Sequence, residues 1–482
     1  MSALLRCAVL SACCAAFPLY AVSSTSHVLD EPAGSGGLSL QWLFAMGTPA
    51  ARPMAATDWP QLLTLAAERA PSNRAANAGL LAAQAREKQA WINAWLPNVS
   101  AFANRASQRQ TYNGVKSQTP SSSVSLSATW PLWRAAERAQ VSAQALLTQQ
   151  SAWQESLNQQ QVALSLSTAY LDGLEAQGLY VLTQAQHDLL AQQLRINERR
   201  MQGGAGTILD VLETRSRLEQ TLSALQSLSG RQQSQRLLIE RLTGQSVQWP
   251  ALTTVAATPN LPMVVPPLHE ALVRVETHNP QTESARAEWA SAREVTRVRK
   301  YEQWQPSIDL VGQTSRSKQT ARFEGVSESQ QVNTQSVGVQ LNWPLFTSGF
   351  QSERNKEAAA LLVQAQAQFD DVQSQARTEI KAAYDTLDQA RKTMALEQQV
   401  VQTSQAGFDA VRKAFTAGVR DNIDVLNAQS QVYAAQQNLL SATVDALAAQ
   451  ANILALLGEL SPPTIAPLTA VMVPADNAPP TP

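Results

Sequence analysis

Apolar residues recur about every seven positions along a stretch without proline, residues 134–201, and a second proline-free stretch, 351–416, corresponds to it. A seven-residue recurrence is typical of helices that pack along a coiled-coil seam. At 1.5 Å per residue, about seventy helical residues would span about 100 Å, which exceeds an ordinary globular domain. We therefore predict two very long helices. The first seam consists of Leu146, Trp153, Leu157, Leu164, Leu171, Leu174, Val181 and Ala185.

Two shorter segments, residues 123–130 and 336–343, alternate polar and apolar residues without interruption. Strict alternation is the period of a β-strand with two unlike faces. A weaker strand pattern precedes each segment, and a long polar connection separates the two partners. We predict two β-hairpins, at about residues 98–130 and 307–343. The predicted outer loops are residues 106–122 and 315–335.

Proline, tryptophan and aspartate landmarks recur in the same order a little over two hundred positions apart. Their spacing is 209 positions for Pro71, 213 for Trp130 and 214 for Asp210. Recurrence of a whole pattern at one spacing is the signature of an internal duplication. We predict one unit written twice, at residues 58–244 and 267–460. The predicted segments outside the two units are a linker, 245–266, and a proline-rich tail, 461–482, that lies along the surface or lacks structure.

Each unit contains a glycine turn followed by the pattern Ile-x-Asp-Val-Leu, at residues 203–212 and 417–426. Glycine supplies the backbone freedom that a reversal between two helices needs. The aspartate of each pattern, Asp210 or Asp424, faces the positive end of the outgoing helix dipole. We therefore predict that each long helix returns as a shorter helix and forms a hairpin with it.

Composition excludes several classes of function. The 482 residues carry 37 lysines and arginines against 38 acidic residues, a net charge of −1. No basic surface for nucleic acid is expected from this balance. The four histidines show no metal-ligand spacing, and no Ser/His/Asp, Cys/His or phosphate-loop pattern occurs. We expect neither an enzyme nor a bound cofactor or metal.

The amino terminus has the features of a secretory signal peptide, which we place at residues 1–22. Arg6 precedes an apolar run, and small residues follow that run. All three cysteines fall inside this segment, so the mature chain would contain none. Leu10 to Cys13 also matches a lipoprotein cleavage box, which leaves lipidation of Cys13 open. Residues 23–57 have no sustained period and are predicted to be a loose extension.

Strands are the elements predicted to cross a membrane. No segment after the signal approaches the run of about eighteen apolar residues that a membrane-spanning helix needs. Aromatic residues cluster where each closing strand ends, as expected at a bilayer surface. The alternative is a pair of ordinary hairpins on a soluble core. Four strands cannot close a barrel, so a membrane protein of this kind needs several protomers. The clustered aromatic residues are Trp130, Trp133, Trp343 and Phe346.

From Asp58 to Leu460 the chain resembles the TolC family of outer-membrane channel proteins. The likeness is carried by the paired Trp-Pro-Leu strand exits, the two glycine turns with Ile-x-Asp-Val-Leu, and the Leu-Gly-Glu-Leu sequence that ends at Leu460. The resemblance implies a mainly α fold with β-structure, in which a homotrimer forms one twelve-stranded β-barrel in outer-membrane lipid. It also implies a long periplasmic α-helical barrel whose entrance is constricted at the helix tips.

The resemblance further implies a gate at those tips. Arg420 matches a tip arginine, Asp210 the aspartate that it binds, and Asp424 an aspartate of an acidic ring. Phe415 replaces a tyrosine and Asn427 replaces a second ring acid, so we expect a looser lock and a less acidic constriction. Simpler roles are open: both aspartates are suited to capping helix starts, and Arg420 to lying solvated in its turn. The tip residues that would contact an adaptor are Gly204, Ala205, Gly418 and Val419.

These features predict an exit duct of the bacterial outer membrane with a large periplasmic portion. Its implied partners are a periplasmic adaptor and an inner-membrane transporter, either ABC or proton-driven. We favour type I protein secretion, because the second half is most similar to the non-lipidated members, and small-molecule efflux is the alternative. A periplasmic coiled-coil scaffold is the alternative from another class. A solute-specific porin would need more strands per chain.

Overall fold

The computed structural model describes residues 58–112, 115–245, 247, 261–323 and 326–469, which belong to one compact unit. Several predictions concern segments outside these residues. They are the signal peptide at 1–22, the lipidation of Cys13, the extension at 23–57, the middle of the linker at 248–260, and the tail from 470 onward.

The two repeats contain the same elements in the same order. The first repeat has α1 (Trp59–Arg69), α2 (Pro71–Trp95), β1 (Asn98–Tyr112), β2 (Val115–Trp133), α3 (Ala135–Gln202) and α4 (Ile208–Thr243). The second has α5 (Leu268–His278), α6 (Pro280–Trp304), β3 (Ser307–Phe323), β4 (Val326–Asn342), α7 (Phe350–Thr416) and α8 (Asn422–Leu456). A further helix, α9 (Pro462–Thr469), follows the second repeat.

The long helices α3 and α7 contain 68 and 67 residues. At 1.5 Å per residue each extends about 100 Å. Neither contains a proline, so the hydrogen-bond ladder is not interrupted. The return helices α4 and α8 have 36 and 35 residues and cover about half of that length. The helices α2 and α6, of 25 residues each, pack against the half nearer the sheet.

The four strands form one antiparallel sheet in chain order. Both predicted hairpins are present, but their strands are longer than expected. β1 continues to Tyr112 and β2 begins at Val115, so most of the predicted loop at 106–122 is strand. The predicted loop at 315–335 is likewise divided between β3 and β4. These segments are polar on both faces and therefore lack the alternation by which a strand is recognised in a sequence.

Near the helices the sheet has one apolar face and one polar face. Residues paired directly across neighbouring strands point to the same face. One apolar row crosses all four strands in register, at Val99, Ala128, Gly312 and Val337. On the opposite face, Ser100 and Ser127 lie with their hydroxyl oxygens 2.8 Å apart. The apolar face is exposed in the single chain, since Val337 is 80% accessible.

A hydrophobic core lies where the middle segments of the two repeats meet. In this core Trp59 of α1 is fully buried, stacks on Tyr170 at a ring separation of 5.9 Å, and donates to Ser167 at 3.1 Å. The prediction of a surface tail is wrong for its first residues, because Ile465 and Leu468 of α9 are fully buried. Prolines in the first turn of α9 do not oppose a helix there, since those positions have no intrahelical acceptor.

One described helix, α8, is long enough and has a segment apolar enough to span a membrane, by length and composition alone. It contains no uninterrupted apolar run, because polar residues occur at intervals along its sequence. In the structure 61% of that apolar segment is buried inside the protein. The helix therefore belongs to the core, where its alanines allow close packing. A Cβ added at Gly178 of α3 would lie only 2.6 Å from a methyl group of Leu440 of α8.

Candidate functional site

The two helix tips have the same backbone conformation. Gly204 and Gly418 adopt left-handed φ angles of +74° and +75°, which non-glycine residues rarely occupy. After each glycine, the next N–H returns to a carbonyl five residues earlier, from Ala205 and from Val419, at 2.9 Å in both cases. This pattern satisfies carbonyls that the helix end leaves free. All four tip residues are exposed on the turns.

Asp210 caps the start of α4. Its backbone N–H donates to the Thr207 hydroxyl at 3.2 Å, and its carboxylate accepts from the Thr207 N–H at 3.1 Å and from the Thr207 hydroxyl at 2.7 Å. This reciprocal capping box satisfies two donors at the helix start. The structure therefore places Asp210 in the capping role and does not pair it with Arg420 within the protomer.

Arg420 pairs with Asp424 of its own turn. Nη1 of Arg420 lies 3.4 Å from Oδ2 of Asp424, and the two side chains are 59% and 34% exposed. An exposed pair at this separation contributes about 1 kcal/mol or less. Asp421, which precedes α8, makes no side-chain capping bond. The second tip is consequently held less firmly than the first.

A cavity of about 390 Å³ lies between the two tips and brings three predicted gate residues together: Asp210, Phe415 and Arg420. The ring of Phe415 lies 5.3 Å from the guanidinium carbon of Arg200, in the last turn of α3. A cation above an aromatic ring is attracted to it. Where the resemblance implied a hydroxyl at position 415, the structure therefore has a cation–π contact. Sequence reasoning missed Arg200, although a basic residue in a last helical turn is a recognisable signal.

Beneath the tips, buried amides connect the two repeats. Nε2 of Gln193 donates to Asn197 at 3.1 Å and to Asn422 at 2.9 Å. Asn197 in turn donates to the buried hydroxyl of Thr214 at 2.9 Å. Paired buried polar groups favour one arrangement of the packed helices, although Nδ2 of Asn422 is buried without a hydrogen-bond partner among the described residues. These residues carry no motif, so only their juxtaposition in the fold reveals them.

Asn427 lies apart from the other predicted gate residues, beside Arg217 of α4. Nη2 of Arg217 donates to Oδ1 of Asn427 at 2.7 Å, and Nη1 donates to the carbonyl of Leu426 at 3.3 Å. The neutral amide of Asn427 therefore accepts a hydrogen bond from an arginine of the other repeat. The family's acidic residue is absent at position 427, and the amide that replaces it contacts a positive charge.

The predicted membrane-interface aromatics lie at the base of the sheet. Nε1 of Trp130 donates to the carbonyl of Trp95 at 3.1 Å, and Trp133 closes β2 after the register shift that follows Pro131. In the second repeat Trp343 and Phe346 follow β4 and are 54% and 86% exposed. Aromatic residues exposed at the end of an apolar sheet face are typical of a bilayer boundary.

A sequence profile described as outer membrane efflux protein matches residues 62–245 and 271–459. The chain belongs to the outer membrane efflux protein family. The two matched segments coincide with the two repeats, which confirms the internal duplication and the resemblance to the TolC family. Members of this outer membrane efflux family lie in the outer membrane and are not enzymes, and both predictions are confirmed for this chain.

Relatives in the same family align with most of the chain. The alkaline protease secretion protein AprF of Pseudomonas aeruginosa is 27% identical over 317 residues, which are 64% of this chain and 63% of that protein. Outer membrane protein TolC of Escherichia coli is 24% identical over 311 residues, 63% of this chain and 62% of that protein. The chain therefore matches less than two thirds of the length of either relative.

Among solved structures, CusC superimposes with a TM-score of 0.71 at 15% identity, covering 86% of this chain and 95% of CusC. At that identity the likeness establishes the fold alone. The predicted mainly α fold with a duplicated hairpin is therefore confirmed, while the roles of the gate and tip residues stay predictions.

Proposed function

We propose that three copies of the chain form one outer-membrane exit duct. The observation that carries this proposal is the four-stranded sheet, whose outer strands β1 and β4 each have one unpaired edge. A lipid-facing sheet cannot leave an edge unpaired, because its N–H and C=O groups have no water to bind. Pairing β1 of one copy with β4 of the next would close twelve strands into a barrel and remove every edge.

The two faces of the sheet support a water-filled interior. In a closed barrel the apolar row through Val99 and Val337 would face lipid, and the row of Ser100 and Ser127 would face the lumen. The long helices would continue this path on the periplasmic side. Export through such a path requires a gate and partners that deliver the substrate, not catalysis.

The partners follow from the duct's position. A periplasmic adaptor would contact the exposed tips at Gly204, Ala205, Gly418 and Val419, and an inner-membrane transporter would supply the energy. We propose secretion of a protein substrate, supported by AprF, which is named for alkaline protease secretion. Small-molecule efflux is the second candidate, supported by the description of the family as efflux proteins.

The gate in this proposal consists of the residues around the tip cavity. Arg420, Asp210 and Phe415 all line that cavity, which supports a role for them in holding the two hairpins at the entrance. Asp424 and Asn427 lie in the first and second turns of α8 and would face the narrowing path. The Arg217–Asn427 contact makes the second position neutral or positive and thereby lowers selectivity for cations relative to an acidic ring.

Two measurements test the proposal. The mass of the detergent-purified full chain, with single-channel recordings in a planar bilayer, should show a trimer with one pore. A monomer that is extracted without detergent would contradict the duct and support a coiled-coil scaffold.

To distinguish protein secretion from small-molecule efflux, the protein is expressed with each class of transporter and adaptor in a strain that lacks its own duct. Export of a protease without restored dye resistance supports protein secretion, and the reverse supports efflux.

A further inference from the structure

Arg138 lies in the first turn of α3, at the base of the sheet, between two indole rings. Its guanidinium carbon is 4.1 Å from the ring centroid of Trp95 and 5.2 Å from that of Trp133. Nη2 also donates to the carbonyl of Leu132 at 3.0 Å. Two aromatic rings and a carbonyl oxygen therefore hold this cation in one orientation.

Arg138 differs from Arg134 in its charged neighbours. Within the described ranges no carboxylate lies at ion-pair distance from Arg138. Arg134, one turn earlier, pairs with both Asp309 and Glu137. The contrast is informative, because two arginines on the same helix start have different surroundings. Arg134 is neutralised within the chain, whereas Arg138 presents an uncompensated charge among apolar rings, where attraction to an anion is stronger than in water.

The site belongs to the apolar face of the sheet. Trp130 pairs across the sheet with Leu310, and Trp133 pairs with Ile308. Leu310 and Ile308 are two and four positions from Gly312 of the apolar row, and residues at even spacing in a strand point to the same face. Both tryptophans therefore lie on the lipid-facing side of the sheet, at the end of its apolar band. Headgroups lie at this depth of a bilayer, and indole rings prefer it.

We propose that Arg138, Trp95 and Trp133 bind the phosphate of an anionic phospholipid in the periplasmic leaflet of the outer membrane. Nε of Arg138 is buried and Nη2 already donates to Leu132, so Nη1 and the second hydrogen of Nη2 are the donors left for two phosphate oxygens. The exposed indole edges, with Trp95 and Trp133 43% and 45% accessible, would contact the glycerol and upper acyl chain. The inference rests on the outer-membrane location and not on the transported substrate.

Native mass spectrometry of the full-length protein tests this binding. The protein is titrated with phosphatidylglycerol and with phosphatidylethanolamine, which carries a phosphate but no net charge. The wild-type protein should bind phosphatidylglycerol several-fold more tightly than phosphatidylethanolamine. Arg138→Gln should weaken that binding about tenfold, the effect of losing a charge-assisted hydrogen bond, and remove the preference. Arg293→Gln, which removes an exposed charge of α6 outside the aromatic cluster, should bind as wild type does.

A folding defect is distinguished from a binding defect by a second variant. If Arg138→Gln does not assemble, Trp133→Leu keeps the cation but removes one of the two rings that orient it, and should weaken the binding of phosphatidylglycerol. Equal affinity of wild type and Arg138→Gln, or equal affinity for the two lipids, would overturn the proposal. Displacement of the lipid by inorganic phosphate would assign the site to a free anion instead. The proposal would also be overturned if the wild-type oligomer bound no lipid and Arg138→Gln weakened the oligomer. In that case Arg138 would bind a group of a neighbouring copy.

Discussion

Arg134 joins the sheet to the longest helix, and its substitution is the most direct test of how the two are held together. Nε and Nη2 of Arg134 donate to the two oxygens of Asp309 at 2.7 and 3.0 Å, and Nη1 donates to Glu137 at 2.7 Å. Asp309 belongs to β3 of the second repeat, and Arg134 precedes α3 of the first. A fork-to-fork pair of this kind fixes both position and orientation.

The magnitude follows from burial. The side chains of Arg134 and Asp309 are 27% and 14% exposed. Breaking a fully buried pair costs about 3–5 kcal/mol, and an exposed pair contributes about 0–1 kcal/mol. This pair lies between those limits, and Glu137 still binds the arginine after the aspartate is changed. We therefore expect Asp309→Asn to lower the free energy of unfolding by about 2 kcal/mol.

The assay is urea unfolding of the detergent-purified protein, followed by tryptophan fluorescence, for Asp309→Asn, Arg134→Gln and the double variant. Because the two side chains act on each other, the double variant should lose less than the sum of the two single losses. Glu137→Gln is the matched control, since it removes the negative charge from the acceptor of one of the three hydrogen bonds and should cost less than Asp309→Asn. A loss below about 0.5 kcal/mol for Asp309→Asn, or strict additivity in the double variant, would refute the reasoning.

Three further predictions concern other parts of the chain. Arg420→Ser should raise single-channel conductance while changing the free energy of unfolding by less than about 1 kcal/mol, because its ion pair is exposed; unchanged conductance removes Arg420 from the gate. Gly178→Val should lower the free energy of unfolding by about 1–3 kcal/mol, because the new side chain collides with Leu440. Gly230→Ala, which has open space around it, should raise the free energy of unfolding by about 0.5–1 kcal/mol. Equal effects of the two substitutions in urea unfolding would contradict this reasoning. Partial desolvation and the nearby carboxylate of Glu175 raise the pKa of Asp445 above 3.8. The folded protein therefore binds a proton at Asp445 more tightly than the unfolded chain does, and the free energy of unfolding rises as pH falls through the raised pKa toward 3.8. Asp445→Asn should therefore raise the thermal midpoint at pH 7 and flatten its dependence on pH below neutrality; an unchanged pH profile would show that the carboxyl does not titrate in this way.

The periodic and local features could be read without a structure. The duplication, the long helices and the glycine tips are encoded by residues that are close in sequence, such as the heptad apolar positions and Gly204 and Gly418. Asp210 illustrates the limit of this reading. Its position at a helix start follows from the sequence, but only the fold shows that Thr207 donates to its carboxylate within the protomer. Its bond to Arg420 stays a prediction.

Elements without a local signature were decided by tertiary structure. The outer parts of β1 to β4 are polar on both faces, so only pairing with a neighbouring strand makes them strands. The residues of α9 are recognisable as core only because they pack on α1. Arg138 carries no motif, and its two indole partners come from the end of α2 and the end of β2.

The sequence by itself therefore determined the repeated architecture, and the tertiary structure decided which side chains meet. Backbone periodicity depends on consecutive residues, whose spacing is the same in any fold that contains the element. The partner of a side chain depends on the packing of elements far apart in the chain. Arg217 and Asn427 are 210 positions apart, and no period in the sequence specifies their contact.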